Sequence, residues 1–274
     1  MERADPSVRS RPLSASAISR AGESRVAPSV PAGARTAIAL ALGFVNHALF
    51  AAAIAVMVPA LYGGLRIGAG PWRGGTAWAA DAFLIAQFPL VHSILLSGPG
   101  RRFLSRLAPH GLGRDLAPTS FTLIASAQVL ATFALGSPSG IVLHEATGGA
   151  LWLWRALFAA SWALLARALY DAGPSIQTGS IGWLSVLRGR SPDFGAFPTR
   201  GLFRRCRQPV YLAFACTLWT GPVHTLDGLV LALCWSTYCV AAPLHKELRY
   251  LALYGESFAR YRSEVPYILP RILP

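Results

Sequence analysis

Residues Thr36–Tyr62 read TAIALALGFVNHALFAAAIAVMVPALY, a run without one charged side chain. A helix crosses a bilayer with about 20 mostly apolar residues, and this run exceeds that length. Four runs of similar character follow, at Thr76–Ser97, Ala117–Gly136, Gly149–Tyr170 and Thr225–Leu244. A sixth, Pro209–Gly221, is only 13 residues long, roughly 20 Å of helix. It either starts in the headgroup layer, among Arg204, Arg205 and Arg207, or forms half of a re-entrant hairpin closed near Pro222. The predicted fold class is therefore all-α, a polytopic membrane helix bundle of about six spans that includes a short helical hairpin.

Composition agrees with the runs. Of 274 residues, 53% are hydrophobic and only 14% charged, with a mean hydropathy of +0.44. Soluble domains carry about 25% charged residues, so a soluble enzyme, a disordered chain and a secreted disulfide scaffold are all poor descriptions. The four Cys lie in or beside apolar segments without a Cys-x-x-Cys pair, which reads as free thiols. No set of three or four ligands at zinc-like spacing is present in the sequence, so no metal is expected. Net charge is +13, and Lys246 is the only lysine among 25 cations. In a membrane protein such a balance points to loops facing an anionic leaflet, and no nucleic-acid partner is expected.

The cations are distributed unevenly. Residues 1–35 hold six, 63–75 two, 98–116 four, 137–148 none, 171–208 six, 222–224 none and 245–274 five. Every second segment is rich, and the positive-inside rule then places both termini in the cytoplasm, in a bacterial inner membrane. Residues 1–35, rich in Arg, Ser, Ala and Pro and free of periodicity, are predicted to be a disordered tail. The Gly63–Gly75 stretch contains Gly68-Ala69-Gly70 but no third glycine and no preceding strand. It reads as a loop between helices rather than a dinucleotide-binding turn.

Polar residues gather on the predicted cytoplasmic side. His92 and Ser93 end the second span, Arg207, Gln208, Pro209 and Tyr211 open the short run, and His245, Lys246 and Glu247 follow the last span. Three segments delivering polar side chains to one membrane level is the pattern of a site at the interface. Pro209 suits a first helical position, where its missing N–H costs nothing. Asn46, His47, Asp81 and Gln87 fall within spans and are expected to bond to neighbouring helices. His245–Tyr261 reads as one amphipathic helix: Glu247, Leu251, Tyr254, Phe258 and Tyr261 share a face, and Glu256–Arg260 and Arg260–Glu264 offer pairs on another. It would lie on the inner leaflet or cover a cofactor.

In that order, the residues of Gly201–Leu212 (GLFRRCRQPVYL), a helical hairpin, Lys246-Glu247-x-x-Tyr250-Leu251, the stretch Tyr254–Tyr261 and the closing Val265-Pro266 resemble the isoprenylcysteine carboxyl methyltransferase superfamily. That family carries Arg-His-Pro-x-Tyr before a hairpin, then Glu-Glu-x-x-Leu, Phe-Gly-x-x-Tyr-x-x-Tyr and Val-Pro. The bacterial methanethiol S-methyltransferase branch also matches Val91-His92-Ser93, Asp171 and Arg188-Gly189-Arg190. The resemblance implies one membrane domain over 36–274, its cofactor-binding part at 198–270. It also implies S-adenosylmethionine as cofactor and a small thiol or lipid-like acceptor, with membrane lipids around it.

By the same resemblance Arg207, Gln208, Tyr211, Glu247, Tyr254 and Tyr261 would line the cofactor site. Arg207 suits the cofactor carboxylate, Glu247 its ammonium or ribose hydroxyls, and Tyr211 or Tyr254 the sulfonium. The catalytic candidates are His92, Gln208 and Glu247, with His92 accepting the thiol proton. Two positions depart from the family pattern. Gln208 stands where the motif has His, and Lys246 where it has the first acid. Three outcomes stay open: methylation of a small thiol, methylation of a lipid or prenylated acceptor, and a degenerate member that binds within a membrane assembly.

Overall fold

The computed structural model describes residues 30–108 and 111–270. The chain is a helical bundle, and five of its helices are long and apolar enough to cross a membrane. These are α1 (Ala32–Tyr62), α2 (Gly74–Leu96), α4 (Gly113–Leu135), α5 (Gly148–Asp171) and α9 (Leu226–Tyr254). Between them lie α3 (Gly98–Leu107), α6 (Pro174–Gln177), α7 (Ser180–Leu187) and α8 (Pro209–Trp219), and α10 (Glu256–Glu264) closes the fold. The outside of the bundle is apolar: Phe44, Phe83 and Trp152 are 76%, 69% and 69% exposed. Water does not tolerate that density of bare rings, and the chain is an integral membrane protein. The tail expected over residues 1–35 lies outside the described residues as far as residue 29, and α1 begins at Ala32.

Helix α4 is the hub, packing against α1, α2, α3 and α7. Its buried face carries Thr119, Thr122, Ser126, Gln128 and Thr132. Small and hydroxyl-bearing side chains let helices approach closely and bond across the gap. Gln87 of α2 and Gln128 of α4 exchange amide bonds, Gln128 Nε2 donating to Gln87 Oε1 at 2.6 Å and Gln87 Nε2 to the Gln128 carbonyl at 3.0 Å. Asn46 donates to the Thr178 carbonyl at 2.7 Å, and His47 accepts from the Trp183 indole at 3.3 Å. Asp81 accepts from the Ser137 amide at 2.9 Å. Gln87 and His47 bond to neighbouring helices as expected, whereas Asn46 and Asp81 bond to the chain just beyond the ends of α6 and α4. The apolar core centres on Trp235, with Met57, Phe133, Phe158 and Leu231 around it.

The short run starts beside Arg204, Arg205 and Arg207, as the first of the two expected arrangements has it, and is continued by non-helical chain rather than closing as a helical hairpin near Pro222. Helix α8 stops at Trp219, whose indole donates to Ser236 in α9 at 2.8 Å. Ser236 lies ten residues into α9, about 15 Å below its first turn. Residues 220–225 cover the remaining height without helix, the last three as a strand. Within them, β2 (Val223–Thr225) pairs antiparallel with β1 (Val142–Glu145), a ribbon that no periodicity in the sequence indicated. Irregular backbone at membrane depth must be sealed by protein, and it is. Pro222, Val223 and Thr225 are buried, Thr225 Oγ1 donates to the Gly64 carbonyl at 2.6 Å, and the Ala146 amide donates to Pro222 at 2.9 Å.

The C-terminal segment also departs from expectation. His245–Tyr261 is not one helix: α9 runs on to Tyr254, and Gly255 (φ 53°, ψ −128°) breaks the chain before α10 starts at Glu256. That backbone conformation belongs to glycine. Neither Glu256–Arg260 nor Arg260–Glu264 is among the ion pairs of the described residues.

Candidate functional site

Three elements converge where α8 begins. A 3-10 turn, Gly201–Arg204, leads into α8 and is pinned to the end of α5, where Asp171 accepts from the Leu202 amide at 2.8 Å and pairs with Arg167 at 3.0 Å. Gly201, at φ 58°, faces that carboxylate so closely that a Cβ would lie 2.2 Å from an Asp171 oxygen. Only glycine fits. Gln208 is the last residue before α8 and Pro209 its first, so the polar side chains of Arg207 and Gln208 are delivered together.

Both reach Glu247 on α9. Arg207 donates through Nε to Glu247 Oε1 at 2.8 Å and through Nη2 to Oε2 at 3.2 Å. Gln208 Nε2 donates to Oε1 at 2.8 Å, and Arg262 of α10 lies 3.5 Å from Oε2. The Glu247 side chain is 3% exposed. Arg207 Nη1 donates to the carbonyls of Arg262 and Val265, and the Arg207 amide to Pro266 at 2.9 Å. One buried carboxylate thus gathers the residues of the motif and the closing segment. Bidentate, charge-assisted pairs of this kind are the strongest polar contacts available to the chain.

Beside this node is a narrow cleft lined by Phe197, Phe203, Arg207, Gln208, Lys246, Tyr250, Phe258 and Tyr261. Phe197 packs on Tyr254, Phe258 and Tyr261 with ring centroids 5.0, 5.1 and 5.4 Å apart. Tyr261 donates to the Phe203 carbonyl at 2.7 Å. Burial, with smaller effects of Cys206 and Glu247, holds its phenol above the usual range, so it stays a donor. The Lys246 ammonium lies over the rings of Tyr211 and Tyr250, 5.3 and 5.7 Å from their centroids. Gln208 Oε1 is buried without a hydrogen-bond partner.

Of the residues singled out in the sequence, Arg207, Gln208 and Glu247 form the node, and Tyr261 lines the cavity. Tyr211 backs Lys246, while Tyr254 lies at the edge, donating to the Gly195 carbonyl at 3.3 Å. His92 does not line the cavity. It sits among Phe88, Phe121 and Tyr238, at centroid distances of 5.1, 4.6 and 6.4 Å, with Nδ1 buried and unpartnered. The span end that carries it is nonetheless tied to α9: Ser93 bonds Tyr238 at 3.3 Å and Arg249 donates to the Leu96 carbonyl at 2.9 Å. Sequence reasoning missed Phe197 and Arg262. An aromatic in a coil and one of two arginines in a helix that also carries two glutamates give no signal of their own.

A larger cavity, about 110 Å³, opens at the other end of the bundle between Trp78, Asp81, Phe133 and Asp227. No motif residue lines it.

A helical membrane protein with this motif node is of the class to which integral-membrane methyltransferases belong, and comparison narrows the likeness. The chain is similar to methanethiol S-methyltransferase 2 of Bradyrhizobium diazoefficiens, at 23% identity over 202 residues, 74% of this chain and 76% of the relative. It is likewise similar to the methanethiol S-methyltransferases of Pseudomonas deceptionensis and Crocosphaera subtropica. Both are 24% identical, over 72% of this chain and 76% of the relative. These similarities support the methanethiol S-methyltransferase branch of the isoprenylcysteine carboxyl methyltransferase family. No family model and no solved structure matches the chain.

Proposed function

We propose that the protein is an integral-membrane methyltransferase that uses S-adenosylmethionine to methylate a small thiol such as methanethiol, with both termini at the cytoplasmic face. The observation that carries this reading is the buried Glu247 node, which joins the motif residues Arg207 and Gln208 to α9 and the closing segment beside an aromatic cavity. The names of the similar proteins supply the reaction.

The residues fit the cofactor. An orphaned Gln208 Oε1 leaves a buried acceptor for a ligand to satisfy, and unpartnered buried polar atoms otherwise cost stability. The faces of Phe197, Tyr250 and Tyr261 suit a flat base. When bound, S-adenosylmethionine supplies an electrophilic methyl group on a cationic sulfur. The chain's own contribution is position and dryness. Holding reactants in line is worth about 7–11 kcal/mol, and excluding water favours a reaction that neutralises charge. Tyr238, which touches His92, precedes Lys246 by eight residues, about 12 Å of helix. In this reading His92 serves the acceptor's end, where its buried, unpartnered Nδ1 takes the proton of the thiol S–H bond, leaving thiolate and imidazolium.

Gln208 and Lys246 themselves favour a second reading, a member that binds without transferring methyl. Labelled methyl from S-adenosylmethionine, followed into volatile, lipid and protein fractions with methanethiol as acceptor, separates the two. The native protein is expected to release a volatile methylated thiol. Should the motif position titrate during turnover, Gln208→His gains about 10²–10⁴-fold. No transfer by the native chain, Gln208→His or Gln208→His with Lys246→Glu, despite cofactor binding, sinks the enzyme reading.

A further inference from the structure

The node leaves the cavity with an unusual balance of charge. Arg207 and Glu247 spend themselves on each other. Four donor contacts converge on the Glu247 carboxylate, and Nε and both terminal nitrogens of Arg207 are occupied by Glu247 and two backbone carbonyls. Neither side chain is left to take the opposite charge of a ligand without dismantling a buried pair. Besides the Tyr250 phenol, two polar groups on the cavity wall remain unspent. Gln208 Oε1 has no donor, since the amide's Nε2 is committed to Glu247. The ammonium of Lys246 has only the faces of Tyr211 and Tyr250, and no carboxylate among the described residues lies within ion-pair distance of it.

A half-buried ammonium between rings and a buried carbonyl oxygen are complementary to a group that carries an anion and an N–H donor side by side. We propose that Lys246 is the counter-ion for the carboxylate of an α-amino-acid group, whose ammonium donates to Gln208 Oε1. This rests on the methyltransferase reading, under which the group is the methionine end of S-adenosylmethionine. It also accounts for a positive charge where the resemblance leads one to expect an acid. The lysine faces the carboxylate end of the cofactor rather than its sulfonium, so like charges are not brought together. Gln208 in place of histidine fits the same arrangement, because its carbonyl oxygen accepts from an ammonium at any pH.

Equilibrium binding to the full-length protein in detergent tests the assignment, with S-adenosylmethionine and its decarboxylated analogue as probes. The wild type is expected to bind S-adenosylmethionine at least tenfold more tightly than the analogue. Lys246→Met should abolish that preference by weakening S-adenosylmethionine alone, leaving the analogue's affinity within twofold and so reporting an intact fold. Lys246→Arg should keep the preference. If Lys246→Met does not fold, loss of preference in Lys246→Gln against its retention in Lys246→Arg decides the matter. Equal binding of the two probes by the wild type, or an undiminished preference in Lys246→Met or Lys246→Gln, overturns the role of Lys246 and leaves the methyltransferase reading standing. No binding of either probe by the wild type overturns the cofactor reading and this assignment together.

Discussion

Glu247→Ala would leave the Arg207 guanidinium, 10% exposed, with only two backbone carbonyls and the face of Tyr267. Breaking a buried pair by removing one partner costs about 3–5 kcal/mol, because the remaining charge is uncompensated. Glu247→Ala should therefore lose about that much stability in detergent, whereas Glu247→Gln, which keeps the shape and an acceptor oxygen, should lose less. Comparable unfolding curves for wild type and Glu247→Ala would remove the node from the structural account. Motif order and spacing pointed to Arg207, Gln208 and Glu247 together, since they hold wherever the chain folds. Which charge meets which was not legible. Arg207 and Glu247 stand 40 positions apart, with a hairpin between them whose geometry decides the pairing, and sequence separation carries none of that geometry. The resemblance suggested Arg207 for the cofactor carboxylate and Glu247 for its ammonium or ribose hydroxyls, and in the structure the two side chains pair with each other.

At the scale of elements, the apolar runs located α1, α2, α4, α5 and α9 to within a few residues at most ends. Hydrophobic length is a property that each segment carries by itself. The break at Gly255 was hidden for the converse reason. Tyr254, Phe258 and Tyr261 keep a helical face across it, and one glycine inside a helical pattern is compatible with continuing the helix. The break has a consequence for the site. By turning the chain before α10, it brings Phe258 and Tyr261 against Phe197 and puts Arg262 beside Glu247. Gly255→Ala imposes a Cβ on a backbone at φ 53°, ψ −128°, a strain of order 1–3 kcal/mol. It should favour fusion of α9 and α10 and draw the aromatic wall away from the cavity. The expected result is weaker S-adenosylmethionine binding with α1–α5 still assembled, read by ligand-induced thermal stabilisation. The native protein should gain about 2.7 kcal/mol at a hundredfold excess of ligand over Kd. An undiminished gain in Gly255→Ala would show that the turn does not shape the site. The β ribbon was illegible for a different reason. Val142–Glu145 is four residues without alternation, and its partner lies some 80 residues away.

For the whole molecule, the number of crossings decides on which sides the termini lie. Five long helices alone would put them on opposite sides, while the cation distribution demands the same side. The conflict is resolved by α8 and the non-helical residues after it. From Leu226 down to Glu247, α9 descends about 32 Å, the thickness of the hydrocarbon core. Gln208, bonded to Glu247, therefore lies one membrane thickness below Thr225, which is the residue before α9. The chain from Gln208 to Thr225 climbs that whole distance, about 16 Å as helix and the remainder without helix, so it makes a sixth crossing although its helix is too short to span. Reporter fusions after Arg106, Ala146, Arg190 and Pro274 should accordingly read inside, outside, inside and inside. The decisive pair is Arg190 and Pro274. They flank α8 and α9, so a full crossing by 208–225 puts them on the same side, whereas a segment that never leaves the inner half of the bilayer would leave α9 as a lone crossing and move Pro274 outside. An outside signal at Pro274 with an inside signal at Arg190 would break the sixth crossing. It would also separate the α10 side of the Glu247 node from the membrane face on which the motif arginines sit.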